Sequence, residues 1–332
     1  MTQPVSGAKR KIIIDTDPAV GIRGTDADDP LAILLALASP ELDLIGVTTT
    51  FGNCPTLLTA RCALAVLQAA GRPEIPVCAG LTLPLCGRHH TRLLDAWQRT
   101  RGSPGSIALP ELEGHLDPRH ASDFIIEQAH RYPGELEIVA IGPQTNVATA
   151  ILKDPSICTK LRGITFMGGA LGIEPVYGRG NITPVAECNI WFDPQAAAIV
   201  FESGIPLTMV GLDVTSPAKQ TVLYEDQLQR IDATRGNTSK LLASICNTYL
   251  DSPMFELGER RGCVLYDPLA VAVCADATLV TLAPMRIAVE QKGEYTVGQT
   301  VPVRDGEPNI NVCVDVDGER AANLILERLL TL

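Results

Sequence analysis

The sequence predicts an α/β fold, a largely parallel central sheet flanked by helices, and three observations predict it. Short, near-continuous apolar runs alternate with longer helical patterns over most of the chain. The runs are apolar at successive positions, as expected of strands covered on both faces, where a half-solvated antiparallel sheet would alternate. Oxygen-bearing polar residues recur just behind several of these runs, where open α/β sheets place their ligands.

The predicted strands are KIIID (11–15), LIGVTTT (44–50), LEIVAIG (136–142), GITFMGG (163–169) and PLTMVGL (206–212). Helical stretches fall between them: DPLAILLALAS (29–39), LLTARCALAVLQAAG (57–71), ASDFIIEQAHR (121–131) and PQAAAIVFESG (194–204). The first opens with Asp28 and Asp29, whose charge complements the helix dipole, and with Pro30, which suits a first turn. The tail departs from this rhythm. MRIAVEQKGEYTVGQTVPV (285–303) and NINVCVDV (309–316) alternate like antiparallel strands before a last helix, so a small antiparallel annex to the same sheet is expected near the C-terminus. No low-complexity linker or repeat divides the chain. Residues 1–332 read as one domain, with 1–10 a flexible N-terminal extension, and the weakly patterned stretch Leu81–Pro118 reads as an active-site loop or lid.

The chain has 332 residues with 46% hydrophobic content, ample for a large core. Lys and Arg number 27 against 38 Asp and Glu, a formal net charge of −11, the wrong sign for gripping nucleic acid or anionic lipid. Small molecules are the expected partners, with no nucleic acid and no membrane. The apolar run near the N-terminus ends at Asp15, too short for a signal peptide, and no segment offers the roughly 18 apolar residues of a membrane span. A cytoplasmic protein is expected. None of the ten cysteines forms a C-x-x-C pair, and Cys62 and Cys274 sit inside apolar helical patterns, so reduced core thiols are expected.

The stretch IIIDTDPAVGIRGTDADDP (12–30) sets Asp15, Asp17, Asp26, Asp28 and Asp29 directly behind a strand. Crowded carboxylates repel and burial raises the cost, so the cluster calls for a hard cation or for solvent at several members. An EF-hand is excluded, because Ala19 and Val20 stand where an oxygen ligand and a glycine belong. A strand followed by D-x-D also resembles the nucleophile loop of haloacid-dehalogenase-type phosphatases, although no basic phosphate site accompanies it. Further oxygen-bearing groups follow later strands: Asn53 in TTTFGN, Thr145 and Asn146 in IGPQTN, Asn181, Glu187 and Asn189 in GNITPVAECN, and Asp267 in LYDPLA.

Taken in order, IIIDTDP with the later DD, VTTTFGN, IGPQTNVA, FMGGA, the GN…P.AE.N block, FDPQAAA, DPLA and YTVGQTV resemble the inosine-uridine preferring nucleoside hydrolases over nearly the whole chain. The resemblance implies a calcium ion held by Asp17, Asp29, the backbone carbonyl of Thr145 and Asp267, with Asp17 also the general base. It implies ribose held by Asp28, Asn53, Asn181, Glu187 and Asn189, with the backbone around Met167 lining the pocket and Asp15 supporting the carboxylates. The implied reaction cleaves the N-glycosidic bond of a ribonucleoside, giving free base and ribose, and the implied assembly is a homodimer or homotetramer.

Two features depart from the family pattern. AVGIRGTDA intervenes between Pro18 and Asp28; Gly21 and Gly24 would let it loop out while Asp17 and Asp29 converge, and Asp26 is expected in solvent. Tyr266 precedes the last aspartate where many members carry a histidine that protonates the leaving base, and a phenol with a pKa of about 10 is a poorer acid. Tyr266 is therefore a leaving-group contact whose role is open, and His89, His90, His115 and Trp97 are candidates from the irregular segment, whereas Trp191 is expected in the core. The alternatives are a hydrolase of another N-riboside, such as a nicotinamide or modified nucleoside, and a non-catalytic nucleoside-binding homologue.

Overall fold

The computed structural model describes residues 8–22, 25, 28–85, 116–232, 236–250, 256–257 and 260–332. In chain order the strands are β1 (Arg10–Thr16), β2 (Leu42–Thr49), β3 (Val77–Ala79), β4 (Leu136–Ala140), β5 (Gly163–Met167), β6 (Leu207–Val210), β7 (Val222–Tyr224), β8 (Glu256–Leu257), β9 (Arg260–Val264), β10 (Val280–Met285), β11 (Ile287–Val289), β12 (Thr300–Pro302) and β13 (Ile310–Val316). Eight of them form the central sheet, in the order β10-β13-β6-β5-β4-β1-β2-β3. All neighbours pair parallel except β10 and β13.

Alternation along β1 shows why Ile12–Ile14 is an unbroken apolar run. Ile12 and Ile14 join one core and Ile13 the other, so each of the three is buried whichever way it points. The first core is shared with the helices Asp28–Ala38, Thr56–Ala69, Tyr266–Ala275 and Gly318–Leu329; the second with Ala121–Arg131, Thr145–Lys153 and Pro194–Phe201.

The chain runs outward from β1 through β2 to β3, then returns to the other side of β1 to lay down β4, β5 and β6. The reversal opens a crevice beyond the carboxyl ends of β1 and β4, the usual ligand position in such sheets. Asp15 and Asp17 stand at that end of β1, and Ile141 and Gly142 at that end of β4.

The five predicted strands and four predicted helices are all present, each with its bounds shifted by a few residues at most. The expected antiparallel annex is present near the C-terminus, but detached from the central sheet. β11 and β12 form a separate two-stranded antiparallel ribbon, whereas β13 enters the central sheet, parallel to β6 and antiparallel to β10. A second small sheet, β7-β9-β8, was not expected. Residues 1–7 of the expected extension lie outside the described residues, and its last residue, Arg10, already belongs to β1. Most of Leu81–Pro118 likewise lies outside them. Seven of the nine described cysteines are buried and none forms a disulfide. Among the described residues no helix is long and apolar enough to cross a membrane.

Candidate active site

The site begins where β1 runs out. Asp15 is fully buried; its Oδ1 accepts from Thr48 Oγ1 at 2.6 Å and Asn146 Nδ2 at 2.8 Å, and its Oδ2 has no hydrogen-bond partner. Burial pushes its carboxyl up to about 7, against the opposing pull of the Asn146 and Thr48 bonds. Two residues on, Asp17 Oδ2 accepts the Asn53 N–H at 2.6 Å. Two glycines leave room for that carboxylate: a Cβ at Gly52 would stand 2.0 Å from Oδ2, and one at Gly142 would stand 2.5 Å from Oδ1.

Asp28 and Asp29 open the helix Asp28–Ala38, and Asp267 lies in the first turn of Tyr266–Ala275. Both helix N-termini therefore aim their positive ends at carboxylates. The Asp267 N–H donates to Asp28 Oδ2 at 3.0 Å, locking the two helix starts together. Asp29 lies deeper: Oδ1 accepts from the Thr16 hydroxyl and, at 3.1 Å, from the Asp17 N–H, while Oδ2 accepts from Asn53 Nδ2 at 3.1 Å. One carboxylate oxygen from each of Asp28, Asp29 and Asp267 lies within 4.8 Å of the others, and all three residues are buried. Burial raises the Asp29 carboxyl to about 6, partly offset by its hydrogen bonds. Three buried carboxylates offering hard oxygen donors within 4.8 Å of one another fit a divalent cation such as calcium or magnesium.

Around this base a small cavity of about 30 Å³ is lined by Asp17, Asp28, Asn53, Ile141, Met167, Asn181, Glu187, Cys188, Asn189, Tyr266 and Asp267. Glu187 is fixed from two sides: Oε1 accepts from the Asn189 N–H at 2.8 Å, and Oε2 from the N–H groups of Gly169 at 3.0 Å and Ile190 at 3.1 Å. It thereby caps the helix Cys188–Phe192, and burial raises its carboxyl. Asn189 Nδ2 reaches across to the carbonyls of Ile141 (3.0 Å) and Met167 (3.3 Å), tying the ends of β4 and β5 to the same helix. Asn181 Oδ1 accepts the Cys188 N–H at 2.9 Å, which turns the loop before Glu187 back over the cavity.

Asp17, Asp28, Asn53, Met167, Asn181, Glu187, Asn189, Tyr266 and Asp267 thus meet at one cavity, with Asp29 just beneath. The carboxylate trio contains Asp28, which the resemblance assigned to the sugar, in place of Asp17. Thr145 departs from its expected place. As the first residue of the helix Thr145–Lys153 it turns its carbonyl along the helix, where Thr149 Oγ1 donates to it at 2.7 Å, and its hydroxyl donates to Asp193 at 2.7 Å. The residue of that loop which lines the cavity is Ile141, at the end of β4. Ile141 escaped sequence reasoning because a backbone carbonyl carries no side-chain signal; Cys188 escaped it as one more small thiol.

Of the insertion after Pro18, residues 19–22 and 25 are described, and these pack inward rather than looping out. Ala19, Val20 and Ile22 are buried, Ala19 and Ile22 packing with Cys54 and Leu58, and the Val20 N–H donates to Cys62 Sγ at 3.3 Å. Gly21, at φ 69°, makes the turn that allows this. Asp17 and Asp29 nevertheless converge. Asp26, His89, His90, Trp97 and His115 lie outside the described residues. Trp191 is buried against Ala186 and Val297, as expected.

Known proteins resemble the chain over nearly its whole length. The family model described as inosine-uridine preferring nucleoside hydrolase matches residues 12–323. Uridine nucleosidase 1 of Arabidopsis thaliana is 37% identical over 297 residues, covering 90% of this chain and 83% of that protein. The pyrimidine-specific ribonucleoside hydrolase RihA of Citrobacter koseri is 36% identical over 324 residues, covering 96% and 97%. Among solved structures, the purine-preferring ribonucleoside hydrolase of Gardnerella vaginalis superposes with a TM-score of 0.82 at 34% identity, covering 97% of this chain and 98% of that one. A family model spanning nearly the whole chain, relatives above 30% identity and a matching fold place the protein in the inosine-uridine preferring nucleoside hydrolase family.

Proposed function

We propose that the chain is a calcium-dependent ribonucleoside hydrolase that cleaves the bond between a nucleobase and ribose. The observation that carries this reading is the meeting of the Asp28, Asp29 and Asp267 carboxylates with Asn181, Glu187 and Asn189 at one cavity. The carboxylates suit a hard cation, and the amides and Glu187 suit sugar hydroxyls. Proteins named for uridine and for pyrimidines match the chain in sequence and one named for purines matches it in fold, so the reading covers ribonucleosides of either base class.

Asp28, Asp29 and Asp267 would hold the ion, with Asp17 and the Ile141 carbonyl as the other oxygen donors at the cavity wall. A bound calcium ion would supply Lewis-acid polarisation of the attacking water and an anchor for the vicinal diol of ribose. Asp17 is the proton acceptor: the Asn53 N–H and the two flanking glycines fix its carboxylate at the cavity wall. Breaking an N-ribosidic bond develops positive charge on the ring, and the negative groups around the cavity oppose that charge when it forms. Tyr266 lines the side of the cavity next to Asp267 and contacts the leaving base. The test is a panel of purine and pyrimidine nucleosides assayed for free base and reducing sugar, with and without a calcium chelator. Chelator-sensitive release of ribose is expected; no ribose from any nucleoside in the presence of calcium would defeat the reading.

A further inference from the structure

Asn146 lies outside the cavity lining and is fully buried in the first turn of the helix Thr145–Lys153. Its amide bonds at both ends. Nδ2 donates to Asp15 Oδ1 at 2.8 Å and to the Thr49 carbonyl at 3.1 Å, and Oδ1 accepts the Leu81 N–H at 3.0 Å. An amide nitrogen has two hydrogens to give, and both are placed. One side chain thus joins the ends of β1 and β2 to the chain leaving β3. Gly80 closes in on it from the other side: a Cβ there would stand 1.9 Å from Asn146 Oδ1 and 2.4 Å from its Cγ.

Asp15 connects this junction to the site. Its Oδ1 has two donors, Thr48 and Asn146, and its main-chain carbonyl accepts the N–H of Ile141 at 2.8 Å and of Gly142 at 3.3 Å. Ile141 lines the cavity, and Gly142 packs against the Asp17 carboxylate. We infer that Asn146 is a positioning residue for the cation site: acting through Asp15 and backed by Gly80, it fixes where the ends of β1 and β4 present Asp17 and the Ile141 carbonyl. The inference rests on the cation-site part of the reading above. Without the amide, Asp15 keeps a single donor in a buried setting and the two strand ends lose a shared anchor. Functional constellations tolerate displacements of only about 0.5 Å, and loss of an outer partner of a metal ligand commonly weakens metal affinity or activity by about 10–100-fold.

The test uses the full-length chain as Asn146→Ala, Gly80→Ala and the double variant. Calcium affinity is read by titration calorimetry, kcat on a cleaved nucleoside by ribose release, and folding by thermal melting. Each single change is expected to weaken calcium binding by about 10-fold, the lower end of the range for a ligand's direct partner because Asn146 acts one contact further out, with kcat falling alongside it. The double variant should be no worse than Asn146→Ala, because the new methyl at position 80 then fills space the amide has vacated. If Asn146→Ala does not fold, Gly80→Ala, which removes no hydrogen-bonding group, carries the test alone. Wild-type calcium affinity in a folded single variant overturns the inference, and so do losses that simply add in the double variant. Nucleoside cleavage that needs no calcium overturns it while leaving the hydrolase reading intact; calcium binding that falls as expected in a protein cleaving no nucleoside supports it while the hydrolase reading fails.

Discussion

Gly52 and Asp17 approach so closely that a single methyl group on the glycine would overlap the carboxylate, with 2.0 Å between that carbon and Oδ2. The Asn53 N–H that fixes the same oxygen belongs to the next residue, so the turn and the carboxylate form one unit. Gly52→Ala is expected to displace Asp17 and lower kcat by about 10²-fold, the scale of a misplacement near 1 Å. Steady-state kinetics on the best nucleoside of the panel checks this, and near-normal kcat would show that Asp17 can be moved at no cost.

Asp17→Asn keeps the size of the side chain but removes its ability to take a proton. Turnover is expected to fall by about 10²–10⁴-fold, the usual range for a lost general base, with the melting temperature little changed. Activity near that of the wild type in purified Asp17→Asn would remove Asp17 from the mechanism.

Much of this site is legible in the sequence, for a physical reason. A parallel sheet puts every strand's carboxyl end on one edge, so residues that follow strands converge however far apart they lie in the chain. Asp17, Asn53, Glu187 and Asn189 could be gathered by that rule. Thr145 obeys it too and still misses the cavity, because as the first helical residue it turns its carbonyl along the helix axis. The burial of Ala19, Val20 and Ile22 was hidden because a glycine-containing insertion reads as exposed loop until a partner surface, here Cys54 and Leu58, is known. The sheet β7-β9-β8 was missed because its strands have only 3, 5 and 2 residues, too few for periodicity to register. Alternation in NINVCVDV correctly signalled a strand, but alternation cannot name the neighbour, and β13 lies parallel to β6.

2′-Deoxyribonucleosides should be much poorer substrates than their ribo counterparts. On the proposed reading Asp28, Asn181, Glu187 and Asn189 hold the ribose hydroxyls, and a missing hydroxyl would leave a polar partner in this largely buried set unpaired. A loss of about 10⁴-fold in kcat/KM is expected from comparable sites. Paired assays of uridine and 2′-deoxyuridine decide it; equal values would move the sugar elsewhere.

The cation-free protein should lose stability as pH rises. Burial lifts Asp29 to about 6 and Asp15 to about 7, above the unfolded value of about 3.9, so the folded state holds protons that the unfolded state releases. That contribution is fully present below about pH 4 and fades as pH climbs through about 6 to 7. In chelator the melting temperature should therefore be lower at about pH 8 than at about pH 5.5, and added calcium should raise it more at the higher pH, where it does not compete with protons. Scanning calorimetry at both values, with and without calcium, tests this; a calcium effect larger at the acidic value contradicts it.

Tyr266 sits beside Asp267 at the cavity, partly buried, in the first turn of its helix. A phenol with a pKa of about 10 donates a proton poorly at neutral pH. Tyr266→Phe is thus expected to change natural nucleosides little and to spare an activated substrate such as p-nitrophenyl riboside. A loss of about 10²-fold or more confined to natural nucleosides would instead make its hydroxyl the group that assists departure of the base.

The bond from the Asp267 N–H to Asp28 spans 239 residues of chain. During synthesis a growing chain has Asp28 and Asp29 almost from the start, but it acquires the third carboxylate only after four-fifths of its length has emerged. An ion that needs all three carboxylates could not nucleate the fold; it would latch a chain in which the six sheet strands from β1 to β6 have already emerged and β10 and β13 have still to follow. On the proposed reading ion uptake is a late event in biogenesis, and a chain stalled or clipped before residue 267 would lack both the third carboxylate and the strands β10 and β13.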